Sequence, residues 1–158
     1  MYDHLAHRRK QSDRDIEQTD LIGLNFVEIN ATELCNRTCS FCPRANSEVY
    51  PNRNLNMSVE TAEILSAQLK SHNYGGLVTF SGQGEPTLNK DILKLISVLS
   101  NFEIELITSA DTILNGKITI QSLVENGVNS LIINDYDRNP KVQELVNVHK
   151  CVSIRDHY

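Results

Sequence analysis

Residues 77–108 read LVTFSGQGEPTLNKDILKLISVLSNFEIELIT, and the fold is decided there. Leu77 to Ser81 is a short strand, and Gly82-Gln83-Gly84-Glu85-Pro86 is the turn that ends it. A helix follows from about Lys90 to Leu99, and Glu103 to Thr108 is the next strand. Strand, helix, strand in roughly 30 residues is one βαβ unit, whose crossover lays the two strands side by side and parallel.

The same alternation continues in both directions. Upstream, Phe26 to Asn30 alternates apolar and polar residues as a first strand, followed by a long loop from Ala31 to Asn56. Ser58 is placed to cap a helix to about Ser71, with Ala62, Leu65 and Leu69 at helical spacing and Tyr74-Gly75-Gly76 closing it. Downstream, Ile118 to Glu125 reads as a helix closed by Asn126-Gly127, and Ser130 to Asn134 as a fourth strand. Pro140 suits the first turn of a helix to about Val148, and Cys151 to Ile154 is a fifth strand. The order βαβαβαβαβ predicts an α/β fold with a parallel sheet, its functional residues at the carboxyl ends of the strands.

A chain of 158 residues is the size of one ordinary domain. With 40% apolar and 22% charged residues it fits neither a disordered tail, a collagen repeat nor a coiled coil. The formal charge of -5 argues against a general phosphate-binding surface, so nucleic acid is not an expected partner. His7, Arg8, Arg9 and Lys10 form the one basic run, read as part of a polar, solvated arm over residues 1–24. No stretch approaches the roughly 20 apolar residues of a membrane span, and no apolar segment follows the basic run as in a secretory signal. The expected location is cytoplasmic, with no membrane partner.

Of four cysteines, Cys35, Cys39 and Cys42 fall within eight residues, and Cys151 stands apart. A secreted disulfide framework would need more cysteines in a smaller chain, so a metal or redox site is the better reading. A Cys-x3-Cys-x2-Cys loop supplies three soft ligands to three corners of a cubane iron-sulfur cluster and leaves the fourth iron open for substrate or cofactor. The alternatives are a zinc site completed by a histidine and reduced thiols packed in a core. Zinc sites usually show paired Cys/His units, and the nearest downstream histidine, His72, is 30 residues beyond Cys42.

The loop Cys35-x3-Cys39-x2-Cys42 with an aromatic at Phe41, after strand one of an alternating βα chain, resembles the cluster loop of the radical S-adenosylmethionine (radical SAM) enzymes. The turn Gly82-Gln83-Gly84-Glu85-Pro86 resembles that family's glycine-glycine-glutamate motif, which contacts the cofactor's methionine amino group. Glycines admit a close backbone approach and a carboxylate suits an ammonium, which agrees with the likeness. The resemblance implies a [4Fe-4S] cluster on Cys35, Cys39 and Cys42, and S-adenosyl-L-methionine on its open iron. It implies reductive cleavage of that cofactor to a 5'-deoxyadenosyl radical, which takes hydrogen from an unknown substrate, and an electron donor such as flavodoxin or ferredoxin. Cofactor contacts are implied for Phe41 (through its backbone, at the adenine edge), Gly82, Gly84 and Glu85. They are implied also for Thr108 and Ser109 after strand three, Asn134 and Asp135 after strand four, and Arg155 after strand five. Pro43 and Arg44 resemble members carrying a C-terminal SPASM domain, which act on peptides, sugars or other natural-product precursors, although no further cysteine cluster follows here. The likeness covers residues 25–158 and implies a partial (β/α) barrel of about five βα units. That barrel is expected to be open and incomplete at its C-terminal end.

Overall fold

The structure is a computed structural model and describes residues 24–157, so the arm reading for residues 1–23 lies outside it. Strands β1 (Phe26–Ile29), β2 (Leu77–Phe80), β3 (Glu103–Thr108), β4 (Val128–Asp135) and β5 (Val152–Asp156) form one sheet in chain order. Every neighbouring pair is parallel. Parallel neighbours need crossovers, and these run through helices α1 (Val59–Ser71), α2 (Ile92–Leu99), α3 (Asp111–Leu114), α4 (Ile120–Glu125) and α5 (Pro140–Glu144). Edges β1 and β5 do not meet among the described residues, so the sheet is an open part of a barrel.

The side-chain period of two sorts the central strands into two faces. On one, Val78, Phe80, Ile104, Leu106, Leu131 and Ile133 join Leu95, Ile96 and Leu99 of α2 and Leu123 of α4 in the main core. On the other lie Thr79, Glu105, Ile107, Ile132 and Asn134, all buried, with the Thr79 hydroxyl donating to Glu105 Oε1 at 3.2 Å. Both faces of β2, β3 and much of β4 are thus covered, which is why these strands read as near-continuous apolar runs.

Ser58 caps α1 as expected, accepting from the Thr61 amide at 3.1 Å. Other boundaries move. The second helix starts at Ile92 rather than Lys90, and α4 starts at Ile120, capped by Thr119. The helix expected from Pro140 to Val148 breaks after Glu144 into a 3-10 turn, Leu145–Asn147. Strand β4 begins at Val128, two residues early, and β5 runs to Asp156, which puts Asp135 and Arg155 inside strands rather than beyond them. Helix α3 has no counterpart in the sequence reading: it is four residues long, and its N-cap, Ala110, has φ 65° and no side-chain cap.

Candidate functional site

The long loop after β1 is a closed excursion. Thr32 and Asn56 form an antiparallel bridge at its neck, reinforced by Glu33 N to Leu55 O (2.8 Å) and Met57 N to Ala31 O (2.9 Å). Buried Asn89 donates to the carbonyls of Ala31 and Met57, tying the neck to the start of α2. Inside the excursion, Asn52 holds Cys35 by both its amide (2.9 Å) and its carbonyl (3.1 Å). The Cys42 amide donates to the Cys39 carbonyl at 2.9 Å, and a 3-10 turn, Pro43–Ala45, follows.

The turn after β2 is zipped onto the base of this excursion. Gly84 N donates to Asn30 Oδ1 (3.2 Å) and Glu85 N to Leu34 O (2.8 Å). Gly82 has φ +100°, open to glycine and strained for other residues, and a Cβ at Gly84 would overlap the Thr32 carbonyl oxygen. The two glycines therefore let two backbone segments meet where the cysteines emerge.

Between loop and turn lies a cavity of about 300 Å³ at the carboxyl ends of the strands. Cys35, Cys39, Cys42, Phe41, Gly82, Gly84, Glu85, Thr108, Ser109 and Asn134 all line it, joined by Arg37, Gln83, Ile107 and Tyr136. Glu85 is buried, and both its oxygens are taken. Oε1 accepts from Thr87 N (3.2 Å), Thr87 Oγ1 (2.7 Å) and Thr108 Oγ1 (2.6 Å). Oε2 accepts from Ser109 N (2.8 Å) and Ser109 Oγ (3.0 Å). These bonds lock the β2 turn to the end of β3.

Asp135 and Arg155 do not line the cavity. Asp135 sits between Asn134 and Tyr136, so the strand period turns it to the opposite face. There its Oδ1 accepts from the Asp137 and Asn139 amides and its Oδ2 from Gln143 Nε2 at 2.8 Å. Burial pushes its pKa up, but the bonds from Gln143 and the turn amides outweigh it and hold the carboxyl below the usual 3.8. A depressed folded pKa adds stability at pH values above the unfolded one and loses it as pH falls through the folded one. Asp135→Asn is therefore expected to cost about 1–3 kcal/mol at neutral pH and to flatten the acid limb of the stability curve. Urea unfolding from neutral to acid pH checks this, and parallel curves for the two proteins would refute it. Arg155 stays one step back, its Nε donating to Asn134 Oδ1 at 2.7 Å.

Sequence reasoning passed over Arg37, Tyr136 and Asp111. Arg37, between the first two cysteines, donates to Asp111 Oδ2 (3.1 Å) and Asp137 Oδ2 (2.5 Å) and lies over the Tyr136 ring at 5.2 Å. Asn36 adds a 2.6 Å bond to Asp111. The loop is thus tied to the ends of β3 and β4, and the hydrogen bond that Arg37 donates to Asp137, with that to Asp111, holds the guanidinium still more firmly protonated. Tyr136 could have been found by counting two residues on from Asn134. It accepts from Asn134 Nδ2 at 2.9 Å, burial raises its pKa, and it stacks on His157 at 4.9 Å. Phe41, 66% exposed, also stacks on His157. A second cavity of about 520 Å³ continues outward past Arg37, Cys39, Phe41 and Tyr136, between Asn36, Thr38, Ser40, Asp111, Asp137 and His157.

The three cysteines are free thiols that line the cavity, and burial raises the pKa of Cys35 and Cys39. Among the described residues no three His, Cys, Asp or Glu side chains converge tightly enough for a single metal ion. Three soft donors spread around a cavity fit a cluster with several metal corners.

A sequence profile of the Radical SAM superfamily matches residues 29–153, which takes in the cysteine loop, the glycine turn and the sheet up to β5. The chain belongs to the radical SAM superfamily. Members of this superfamily use a [4Fe-4S] cluster and S-adenosylmethionine, and need a reductant. The S-adenosyl-L-methionine-dependent 2-deoxy-scyllo-inosamine dehydrogenase of Niallia circulans is 25% identical over 116 residues, 71% of this chain and 45% of the relative. The crystal structure of BtrN in complex with AdoMet and 2-DOIA superposes with a TM-score of 0.71 at 22% identity, over 84% of this chain and 56% of that one. Selenomethionine BtrN in an open conformation gives 0.64 at 24% identity, with the same coverage. At such identities the superpositions show the fold, and the chain spans about half the length of these relatives. No described helix is long and apolar enough to cross a membrane.

Proposed function

We propose that this radical SAM chain holds a [4Fe-4S] cluster on Cys35, Cys39 and Cys42 and binds S-adenosylmethionine beside it, to start hydrogen abstraction from a substrate. The observation that carries the reading is that the three cysteines and the Gly82–Glu85 turn, 40 residues apart in sequence, open onto one cavity. When bound, the cluster supplies the electron that cleaves the cofactor. The protein's own residues bind and orient. Gly82 and Gly84 let the turn pack against the loop after β1 so that it lines the methionine end of the cavity, and Glu85 directs negative charge at the methionine ammonium. Five donors already fill the carboxylate's roughly four lone-pair sites. Three of them are hydroxyls, so a turn of Ser109, Thr108 or Thr87 opens a position for the ammonium. Thr108, Ser109 and Asn134 give polar contacts along the cavity, and the Phe41 backbone and Tyr136 flank its outer side.

The outer cavity, rich in hydroxyl, amide and carboxylate groups, suits a hydroxylated, sugar-like substrate. The dehydrogenase relative points to the same class, with an amino-bearing ring as the first candidate. A flavodoxin or ferredoxin is the proposed electron donor. The test is anaerobic reconstitution followed by reduction with S-adenosylmethionine present. Iron and sulfide in equal amounts with 5'-deoxyadenosine formed are expected, whereas stoichiometric zinc without iron would overturn the reading. Iron and sulfide without cofactor cleavage would leave the chain a binding core that does not turn over.

A further inference from the structure

We propose that Arg44 is the buried counter-charge of the iron-sulfur cluster and raises its reduction potential. The inference rests on the reading of Cys35, Cys39 and Cys42 as ligands. Arg44 is 5% exposed. Its Nε donates to the Gln83 carbonyl, its Nη2 to the Glu33 carbonyl and its Nη1 to Asn52 Oδ1 at 3.2 Å, and the Tyr50 ring centroid lies 4.7 Å away. All four partners are neutral. The Glu33 carboxylate turns instead to Arg53, at 2.7 Å, and no ion pair among the described residues includes Arg44. Burying a cation is costly unless an anion compensates it, and carbonyl dipoles solvate the charge without neutralising it.

The position of the guanidinium says which anion does so. Arg44 is two residues from Cys42, and Asn52, which holds it, also holds Cys35 at both backbone groups. Gln83, whose carbonyl it takes, has its side-chain Oε1 3.5 Å from Cys42 Sγ. Arg44 thus shares bonded partners with two of the three cysteines, Cys35 through Asn52 and Cys42 through Gln83. Three thiolates outweigh the positive charge of an oxidised cubane core, so the assembly is anionic, and one-electron reduction makes it more so. A fixed buried cation stabilises the reduced state more than the oxidised one.

The experiment compares wild type, Arg44→Lys and Arg44→Gln after anaerobic reconstitution, titrating reductively with the reduced cluster read by electron paramagnetic resonance, without and then with S-adenosylmethionine. At the potential where half the wild-type cluster is reduced, the reduced-to-oxidised ratio of R44Q is expected to fall about tenfold, or 59 mV for a one-electron couple. R44K is expected to stay within about twofold of wild type. Loss of iron from R44Q but not from R44K would show the same charge requirement through retention. Equal potentials in all three proteins would overturn the proposal. So would a fall in R44K as large as in R44Q, or loss of the cluster from both variants, because the side chain would then act only as a hydrogen-bonding brace. A shift seen only with the cofactor present would make the cofactor carboxylate the partner and overturn it as well. Wild type that takes up no iron would instead bring down the ligand reading itself, before any substitution is compared.

Discussion

Replacing Cys35, Cys39 or Cys42 by alanine is expected to reduce iron and sulfide from about four each per reconstituted chain to near zero, with loss of brown colour and of the reducible signal. Each thiol is the sole protein ligand proposed for its corner, and the remaining two would hold two irons with no strap across the third. Cys151→Ala is expected to keep its iron. That thiol shares a small recess with Glu103, Asn129 and Lys150 at the amino ends of the strands, away from the cavity. Metal analysis of the four variants checks this, and a full cluster in any of the three loop variants would remove that cysteine from the ligand set.

Glu85→Gln is expected to weaken both the fold and cofactor binding. Each carboxylate oxygen accepts from a backbone amide, Oε1 from Thr87 and Oε2 from Ser109. An amide side chain must therefore aim its NH2 at one of these N–H groups whichever way it is turned. The cost is that of a buried donor left unmet plus a lost charge-assisted bond, about 2–4 kcal/mol of unfolding free energy. Affinity for S-adenosylmethionine should fall by roughly 1.5–3 kcal/mol as the charge facing the ammonium disappears. Urea unfolding and calorimetric titration of the reconstituted protein measure the two separately. Unchanged stability would show that the five hydrogen bonds do not anchor the turn, and unchanged affinity would take Glu85 out of the ammonium site.

The cavity was legible where its chemistry is local. Three cysteines in one loop and Gly-x-Gly-Glu in one turn are short-range patterns, and the alternation of strand and helix puts both at the same end of a parallel sheet. The pattern reading stopped at side chains whose partners are remote. Arg37 meets Asp111 and Asp137, 74 and 100 positions away, and no periodicity links them. Arg44 resembled a subfamily mark, whereas its bonds make it a bolt between the cysteine excursion and the β2 turn. A fourth strand that stops at Asn134 leaves Asp135 in the following loop, free to face the cofactor. Once Asp135 lies within the strand, the period of two carries it to the other face, and Tyr136 takes the cavity side.

The amino-acid sequence by itself determined the parallel α/β architecture, the cysteine loop, the glycine turn and the end of the sheet that bears them. These follow from apolar periodicity, turn chemistry and ligand spacing, all of which act over a few residues. Only the tertiary structure decided that Glu85 is held by five donors from its own turn and β3, and that Arg37 staples the loop to β3 and β4. It also decided that Arg44 is buried without a carboxylate among its bonded partners. Hydrogen bonds and burial of this kind depend on which distant segments the sheet brings within about 3 Å of each other, a three-dimensional coincidence that no local pattern encodes.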